Sequence, residues 1–297
     1  MRKEARQTAR QTNPSHYADW NNTCCMNTVQ SPAPISSIAM REKAKSSKPA
    51  LQLSACMGQH QGDRKEQQDR VAIFASPIMP NCVLGVLADG VGGMKGGSLA
   101  AENVILTTRE RFNHFDPKTE TVENFFHSLV QEVHTVIKLT AITSGVDPHS
   151  TFAALLVHPE GVAICHVGDS RIYHFNGASL SHRTQDHTYA QSLVDRGIMS
   201  GEKAALHPSA HRLTNTLGGS KDPKPTVLEL GKAKASDSYM LCSDGLWAYF
   251  SSIELGQTLS RLTARESAEV LIAQARERAN KNGDNCSALI FKFNAPY

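Results

Sequence analysis

The segments 83-VLGVLADG-90 and 239-YMLCSDG-245 share one design, an apolar run that ends in an aspartate followed by a glycine. A short apolar run bounded by turn residues is typical of a buried strand. An ionised carboxylate is costly to bury without compensation, and a neighbouring glycine allows a tight turn or a close backbone approach to a ligand. Each segment therefore predicts a core strand that delivers a carboxylate, Asp89 or Asp244, to its end.

The rest of the chain arranges its predicted elements in separate blocks. In order, the patterns predict strands within 51–89, helices at about 97–115 and 122–137, strands within 152–177, a short helix at 186–197, an aperiodic surface segment at 198–225, a strand at 237–245, a helix at 263–282 and a closing strand at 286–293. This order lacks the regular strand–helix alternation of a parallel doubly wound sheet. It favours an α+β fold in which antiparallel sheets carry helices on the outside.

The first 50 residues differ from the rest in composition. They are rich in Ser, Thr, Asn, Gln and Pro, and they hold eight Lys or Arg against three Asp or Glu. This composition predicts a disordered basic leader at 1–50 and a folded domain at 51–297. A basic leader can contact nucleic acid or anionic lipid, but a solvated leader explains the same composition, and we expect no nucleic-acid partner.

The expected compartment follows from apolar runs and cysteine usage. No apolar run approaches the ~20 residues that cross a bilayer, and the N-terminus lacks the apolar stretch of a secretory signal. The seven cysteines form an odd set without a C-x-x-C pair, which suits reduced thiols. We therefore expect a cytoplasmic protein with no membrane span, and a monomer.

Two further aspartates also lie at strand ends. Asp169 follows the strand-like AICHVG, and Asp284 directly precedes the closing strand. A single Asp-Gly pair is usually just a turn, but four such carboxylates would converge on one rim if their strands were neighbours. The cluster would need compensation by cations, or by Arg and Lys side chains. Carboxylates, carbonyls and waters suit Mg²⁺ or Mn²⁺, and the sequence has neither H-E-x-x-H nor a Cys/His cluster with zinc spacing.

Several segments resemble, in order and spacing, the metal-dependent PP2C-type (PPM) Ser/Thr protein phosphatases, above all the compact bacterial members. The segments are GDRKEQQDR, LADGVGGMKGG, STFAALLV, HVGDSRIY, TQDHTYAQSLVDRGIMS, NTLGG, LCSDGLW and GDNCSALIF. The resemblance covers about residues 52–293 and implies a layered α-β-β-α sandwich of two antiparallel sheets flanked by helices. It also implies hydrolysis of phosphoserine and phosphothreonine, on proteins phosphorylated by Ser/Thr kinases, through direct attack by a metal-bridging hydroxide.

The resemblance assigns the metal ligands position by position. Asp89 would bridge two Mn²⁺ or Mg²⁺ ions, and the carbonyl of Gly90 would bind one of them. Asp244 and Asp284 would complete this two-metal site. Asp169 corresponds to a ligand of a third, weaker metal found in bacterial relatives.

Other matched residues would bind the substrate or support the metals. Arg64 corresponds to the arginine that grips the substrate phosphate, a task that suits its planar guanidinium. Asp69 would hold a metal-bound water, and Asn285 would orient the last metal ligand. Gln68 stands where the family often has Glu, and its amide can still hydrogen-bond such a water.

The sequence leaves open which group protonates the leaving oxygen. Animal relatives have a histidine right after the first Asp-Gly, where this chain has Val91. His187 and His207 are candidates by position alone, and a structural role is the simpler interpretation of either. Both lie in the segment of about 186–218, which matches a mobile flap beside the active site.

Three other functions compete with a phosphatase. The glycine-rich GVGGMKGGS lacks the G-K-[ST] spacing of a P-loop, and no G-x-G-x-x-G opens a helix, which argues against nucleotide binding. A catalytically weak phosphatase fold would act as a binding module, but the four metal-ligand aspartates and Arg64 are retained. A phosphatase dedicated to one signalling partner usually carries a sensor domain, and none is recognised in this sequence.

Overall fold

The computed structural model describes residues 25–26, 51–91 and 93–295, without the side chains of 25–26 and 93–95. Of the predicted leader 1–50, only the short strand Cys25–Met26 is therefore described, and the remainder lies outside the described residues. The disordered leader and the domain boundary at 51 stay predictions.

The strands form antiparallel ladders throughout the described part of the chain. In chain order they are β1 Cys25–Met26, β2 Gln52–His60, β3 Arg70–Ala75, β4 Val83–Ala88, β5 Gly90–Val91, β6 His149–Ser150, β7 Phe152–His158, β8 Gly161–Val167, β9 Arg171–Asn176, β10 Ser179–Arg183, β11 Thr226–Gly231, β12 Asp237–Cys242 and β13 Cys286–Asn294. Within the described residues, one sheet has the order β1-β2-β13-β12-β9-β10 and a second has the order β11-β8-β7-β4-β3. The short strands β5 and β6 pair with each other beside the second sheet's β4 and β7.

The four longest helices cover the outer faces of the two sheets. In chain order the described helices are α1 Gly93–Asn113, α2 Val122–Ser144, α3 Tyr189–Asp195, α4 Gly201–Ala205, α5 Asp244–Trp247, α6 Ser252–Arg261 and α7 Ala264–Ala279. One apolar cluster joins α1 and α2 to the five-stranded sheet, and another joins α6 and α7 to the six-stranded sheet. The expected α+β fold, a layered α-β-β-α sandwich, is confirmed.

The apolar runs of the sequence become strands that are buried on both faces. Residues such as Leu155, Leu241 and Phe291 fill the space between the two sheets, where each is fully buried. Burying one such side chain stabilises the fold by about 1.5–3 kcal/mol. Because helices cover the opposite faces, β7, β8 and β12 are buried along their whole length, and their sequences show no polar alternation.

Several predicted element boundaries were wrong. The first helix begins at Gly93 rather than near 97, because the glycine-rich segment already follows the helix path. Helix α7 ends at Ala279, since Asn280 adopts the left-handed conformation and ends the helix before 282. The segment 198–225, expected to be aperiodic, includes the short helix α4. The sequence prediction also missed α6 and β11 altogether.

Among the helices that the structure describes, none combines the length and apolar character that a bilayer crossing requires.

Candidate active site

The antiparallel pairing brings the aspartate-bearing strand ends together. Strands β4 and β8 both pair antiparallel with β7, so they run in the same direction and Asp89 and Asp169 emerge at the same end of that sheet. Strands β12 and β13 pair antiparallel, so Asp244, which follows β12, lies beside Asp284, which precedes β13. The sandwich therefore carries two carboxylates from each sheet to a common rim.

A cavity of about 910 Å³ opens at this rim. Its walls include Arg64, Gln68, Asp89, Gly90, Asp169, Asp244, Asp284 and Asn285. Asp69, the remaining residue expected at the site, is 1% exposed and forms hydrogen bonds behind the wall. The structure thus brings together the residues that the sequence singled out, while their chemical roles stay predictions.

The backbone at Asp89 is fixed by the segment that leads into β7. Its N–H donates to Oγ1 of Thr151 at 3.0 Å. Its carbonyl accepts from the Thr151 N–H at 2.9 Å and from the Ser150 hydroxyl at 3.1 Å. The neighbouring Gly90 has no room for a side chain, because a Cβ would collide with the backbone of Gly97 in α1. These contacts hold the Asp89–Gly90 corner in one conformation.

The carboxylates at the rim destabilise one another's charged forms. Burial, followed by the charges of Asp69 and Asp244, raises the pKa of Asp89 well above its ordinary value. Burial and the charge of Asp284 likewise raise the pKa of Asp244. Burial raises the pKa of Asp169 to about 7, with a smaller contribution from Asp244. A cation bound within such a cluster would stabilise the ionised form of its carboxylates.

One buried carboxylate oxygen behind the wall has no hydrogen-bond donor. Oδ2 of Asp69 accepts from the hydroxyls of Ser243 and Ser287, each at 2.7 Å. Its Oδ1 is buried and has no hydrogen-bond partner in the structure. A buried acceptor of this kind costs about 1–3 kcal/mol when it is left unsatisfied. The missing donor fits the expectation that Asp69 holds a coordinated water.

The donor set fits an ion that keeps much of its water. Among the residues that the structure describes, no group of three Asp, Glu, His or Cys side chains is arranged to hold a single metal ion. A zinc-type cage is therefore absent from these residues. Mg²⁺ and similar ions need only one or two carboxylates, with waters and carbonyl oxygens as the other ligands. Asp89, Gly90 and Asp244 line the cavity wall and carry such oxygens.

Arg64 contacts the carboxylate of Asp284 at the cavity mouth, and its side chain is 61% exposed. Asn285 holds the loop that carries this arginine. Its Oδ1 accepts from the Gln68 N–H at 2.7 Å, and its Nδ2 donates to the carbonyls of Gln61 and Glu66 at 2.7 and 3.0 Å. The Asn285 N–H also donates to Oδ1 of Asp284 at 2.8 Å. Asn285 therefore orients both the last carboxylate and the arginine loop.

Comparison with known proteins decides the family. A family model described as protein phosphatase 2C matches residues 58–281. The chain belongs to the protein phosphatase 2C family. The serine/threonine phosphatase Stp of Listeria innocua is 30% identical to it over 239 residues, 78% of this chain and 92% of the relative.

Solved structures of other phosphatases have a fold similar to that of this phosphatase. The Mycobacterium tuberculosis serine/threonine phosphatase PstP is similar with a TM-score of 0.71 and 27% identity, over 82% of this chain and all of that one. A PstP catalytic domain in complex with two manganese ions gives a TM-score of 0.68 over the same shares of each chain, also at 27% identity. The expectation of a protein phosphatase from a metal-dependent family is confirmed.

The two histidines suggested by position lie outside the cavity wall of the phosphatase. The His187 ring accepts from the Gly168 N–H at 3.2 Å and stacks on His166, and burial lowers its pKa to about 4. His207 packs against the ring of Tyr189 and accepts from the Ser209 N–H. These contacts support the structural interpretation of both residues.

Sequence reasoning missed two histidines that do line the cavity, His149 and His211. His149 lies in β6 just before β7, and His211 lies in the segment 186–218, together with Arg212, Leu213 and Thr216 of the same wall. Neither histidine belongs to a periodic pattern or a motif, so no signal in the sequence marked it. The expected flap segment does lie beside the site, and its mobility stays a prediction.

Proposed function

We propose that this protein is a cytoplasmic, metal-dependent phosphatase that removes phosphate from serine and threonine side chains of other proteins. The observation that carries the proposal is the meeting of Asp89, Asp169, Asp244 and Asp284 in one cavity beside Arg64. The raised pKa values of the buried carboxylates support the binding of divalent cations in this cavity. The names of the relatives support the serine and threonine specificity.

Each carboxylate has a proposed place around the ions. Asp89, the Gly90 carbonyl, Asp244 and Asp284 would hold two ions, and Asp169 would bind a third. Mn²⁺ and Mg²⁺ both suit this all-oxygen set, and the two manganese ions bound to the PstP domain favour a pair. When bound, such ions lower the pKa of a coordinated water and neutralise charge on the phosphoryl group.

The residues of the chain perform the remaining tasks. The Oδ1 of Asp69 accepts a hydrogen bond from a water at the site, which fixes the orientation of that water. Arg64 contacts Asp284 at the mouth, and a substrate phosphate offers its guanidinium a second, bidentate partner. Because the side chain is exposed, Arg64 can turn from the carboxylate to the phosphate without leaving a buried charge unpaired.

A phosphopeptide assay tests this function. Purified protein is incubated with phosphoserine and phosphothreonine peptides, and released phosphate is measured with Mn²⁺, with Mg²⁺ and with a chelator. We expect turnover with the cations and its loss with the chelator. Asp244→Asn is expected to reduce kcat/KM at least about 100-fold without unfolding the protein, whereas the exposed Asp195→Asn on α3 retains activity. Equal background rates under all conditions would instead identify a binding module.

A further inference from the structure

Two histidines line the cavity wall, His149 and His211, and an imidazole is the side chain that most often transfers a proton in catalysis. The hydrolysis of a phosphoserine releases an alkoxide, which is a poor leaving group unless it receives a proton as the bond to phosphorus breaks. Val91, which lines the same cavity, cannot supply that proton. The position and contacts of the two histidines therefore decide which of them acts on the leaving oxygen.

His149 lies beside the Asp89–Gly90 corner. It is the cross-strand partner of Val91 in the β5–β6 pair, and the next pair in this ladder joins Ser150 to Gly90. The Ser150 hydroxyl donates to the Asp89 carbonyl at 3.1 Å. The strand that carries the imidazole is thus bonded directly to the residue at the centre of the carboxylate cluster.

The imidazole of His149 is also oriented. Its Nε2 lies 3.0 Å from Oδ1 of Asp147, and its side chain is 24% exposed. A carboxylate paired with one ring nitrogen of an imidazolium favours one ring orientation and leaves the other nitrogen for the substrate. The ion pair with Asp147 is made through Nε2, so Nδ1 is the nitrogen that remains for the leaving oxygen.

His211 has a different setting. It lies in the segment 186–218 and is an exposed residue. The charge of its ring lowers the pKa of Asp244, so it acts on the carboxylate cluster from the flap side. No oriented carboxylate partner holds its ring in the part of the chain that the structure describes. His149 combines nearness to the Asp89 corner with a carboxylate partner, whereas His211 lines the cavity and influences Asp244.

We infer that His149 is the proton donor to the leaving group, an inference that rests on the proposed function. A water oxygen forms the new bond to phosphorus while the bond from phosphorus to the serine or threonine oxygen breaks, and the protons of that water stay on the released phosphate, which then gives one up to solvent. The proton on Nδ1 of the His149 imidazolium passes to the serine or threonine oxygen and completes the alcohol. The neutral imidazole stays beside Asp147 and recovers a proton from solvent.

The test compares two substrates that differ in their need for a proton. A phosphothreonine peptide has a poor leaving group, whereas p-nitrophenyl phosphate releases a stable anion that needs little protonation. For His149→Gln we expect kcat to fall at least about 100-fold on the peptide and less than about 10-fold on the aryl phosphate. Asp147→Asn should also lower kcat more on the peptide than on the aryl phosphate, but by a smaller factor than His149→Gln. His207→Gln, outside the cavity, should keep both rates, and His211→Gln should lower both by similar factors.

Mn²⁺ binding, measured by calorimetry, provides a readout that is independent of turnover. His149→Gln is expected to bind Mn²⁺ like the wild type, because the ring is not a ligand. Weakened Mn²⁺ binding, equal losses on both substrates, or a peptide-selective loss in His211→Gln instead would each overturn the role of His149. A wild-type protein that hydrolyses neither substrate with Mn²⁺ would overturn the proposed function and this role together.

Discussion

At the scale of single residues, the site is a set of carboxylates held in an environment that disfavours their charge. Asp89 and Asp244 stand at strand ends, and burial raises the pKa of both. Asp169 follows Gly168, whose φ of +103° is open chiefly to glycine. The same burial that weakens the metal-free protein strengthens the attraction of the cavity for divalent cations.

The first residue-scale prediction concerns Arg64. Arg64→Ala removes a bidentate, charge-assisted contact to phosphate, which is worth about 1.5–3 kcal/mol. We expect KM for a phosphopeptide to rise about 10- to 100-fold, while kcat changes little. Arg64→Lys keeps the charge but loses the planar guanidinium, so its KM should lie between those of the wild type and Arg64→Ala. Steady-state kinetics with Mn²⁺ measures this series, and an unchanged KM in Arg64→Ala would refute the assignment.

The second concerns Asp169 in protein freed of metal by a chelator. Its pKa is about 7 in the folded protein because of burial, above the ordinary value near 4. A raised folded-state pKa gives stability that is present at low pH and is lost as pH rises through 7. The free energy of unfolding should therefore be higher for Asp169→Asn than for the wild type. This difference should be about 2 kcal/mol larger at pH 8 than at pH 5.5. Urea unfolding at the two pH values tests this, and a pH-independent difference would contradict it.

At the scale of elements, the loop 61–68 depends on β13 for its position. The side chain of Asn285, at the start of β13, accepts from one N–H of this loop and donates to two of its carbonyls. The loop carries Arg64 and contributes Gln68 to the cavity wall. The arginine is thus positioned by a residue more than 200 positions away in the sequence.

Asn285→Ala tests this connection. The loss of three partly buried hydrogen bonds should lower the free energy of unfolding by about 1–3 kcal/mol and raise KM for phosphopeptides, because Arg64 loses its fixed position. Asn282→Ala, three residues earlier, should change stability by less than about 0.5 kcal/mol and leave KM alone. Denaturant unfolding and kinetics on both variants measure the effects. A KM equal to that of the wild type would show that Asn285 does not position the arginine.

Elements were predictable from the sequence where local signals agreed. The capping boxes illustrate both outcomes: Thr263 and Glu266 marked the start of α7, while the equal signal of Ser251 and Glu254 before α6 was overlooked. The strand β11 gave no clear signal, because as a sheet edge it is largely exposed and lacks a strong apolar run.

The site was predictable in part for the same reason. The aspartates share a local pattern at strand ends, so the sequence alone marked them. His149 and His211 reach the cavity through long-range packing of segments without periodicity, and nothing local distinguishes them from surface histidines. Pairing between distant strands, rather than local propensity, decides which side chains meet.

At the scale of the whole molecule, the order of the strands in the sandwich decides which carboxylates meet at the cavity. Apolar packing between the sheets fixes their relative position, so two carboxylates from each sheet face one another across the cavity. The fold alone cannot neutralise their repulsion. A cation that binds only the folded protein stabilises it in proportion to the logarithm of its concentration over the dissociation constant. We therefore expect the assembled cavity to bind divalent cations.

Anomalous X-ray diffraction from crystals grown with Mn²⁺ tests this claim most directly. We expect two manganese peaks in the cavity, both beside Asp89, with Asp244 and Asp284 completing their ligands. A map with no manganese peak among these three carboxylates, from crystals of catalytically active protein, would contradict it.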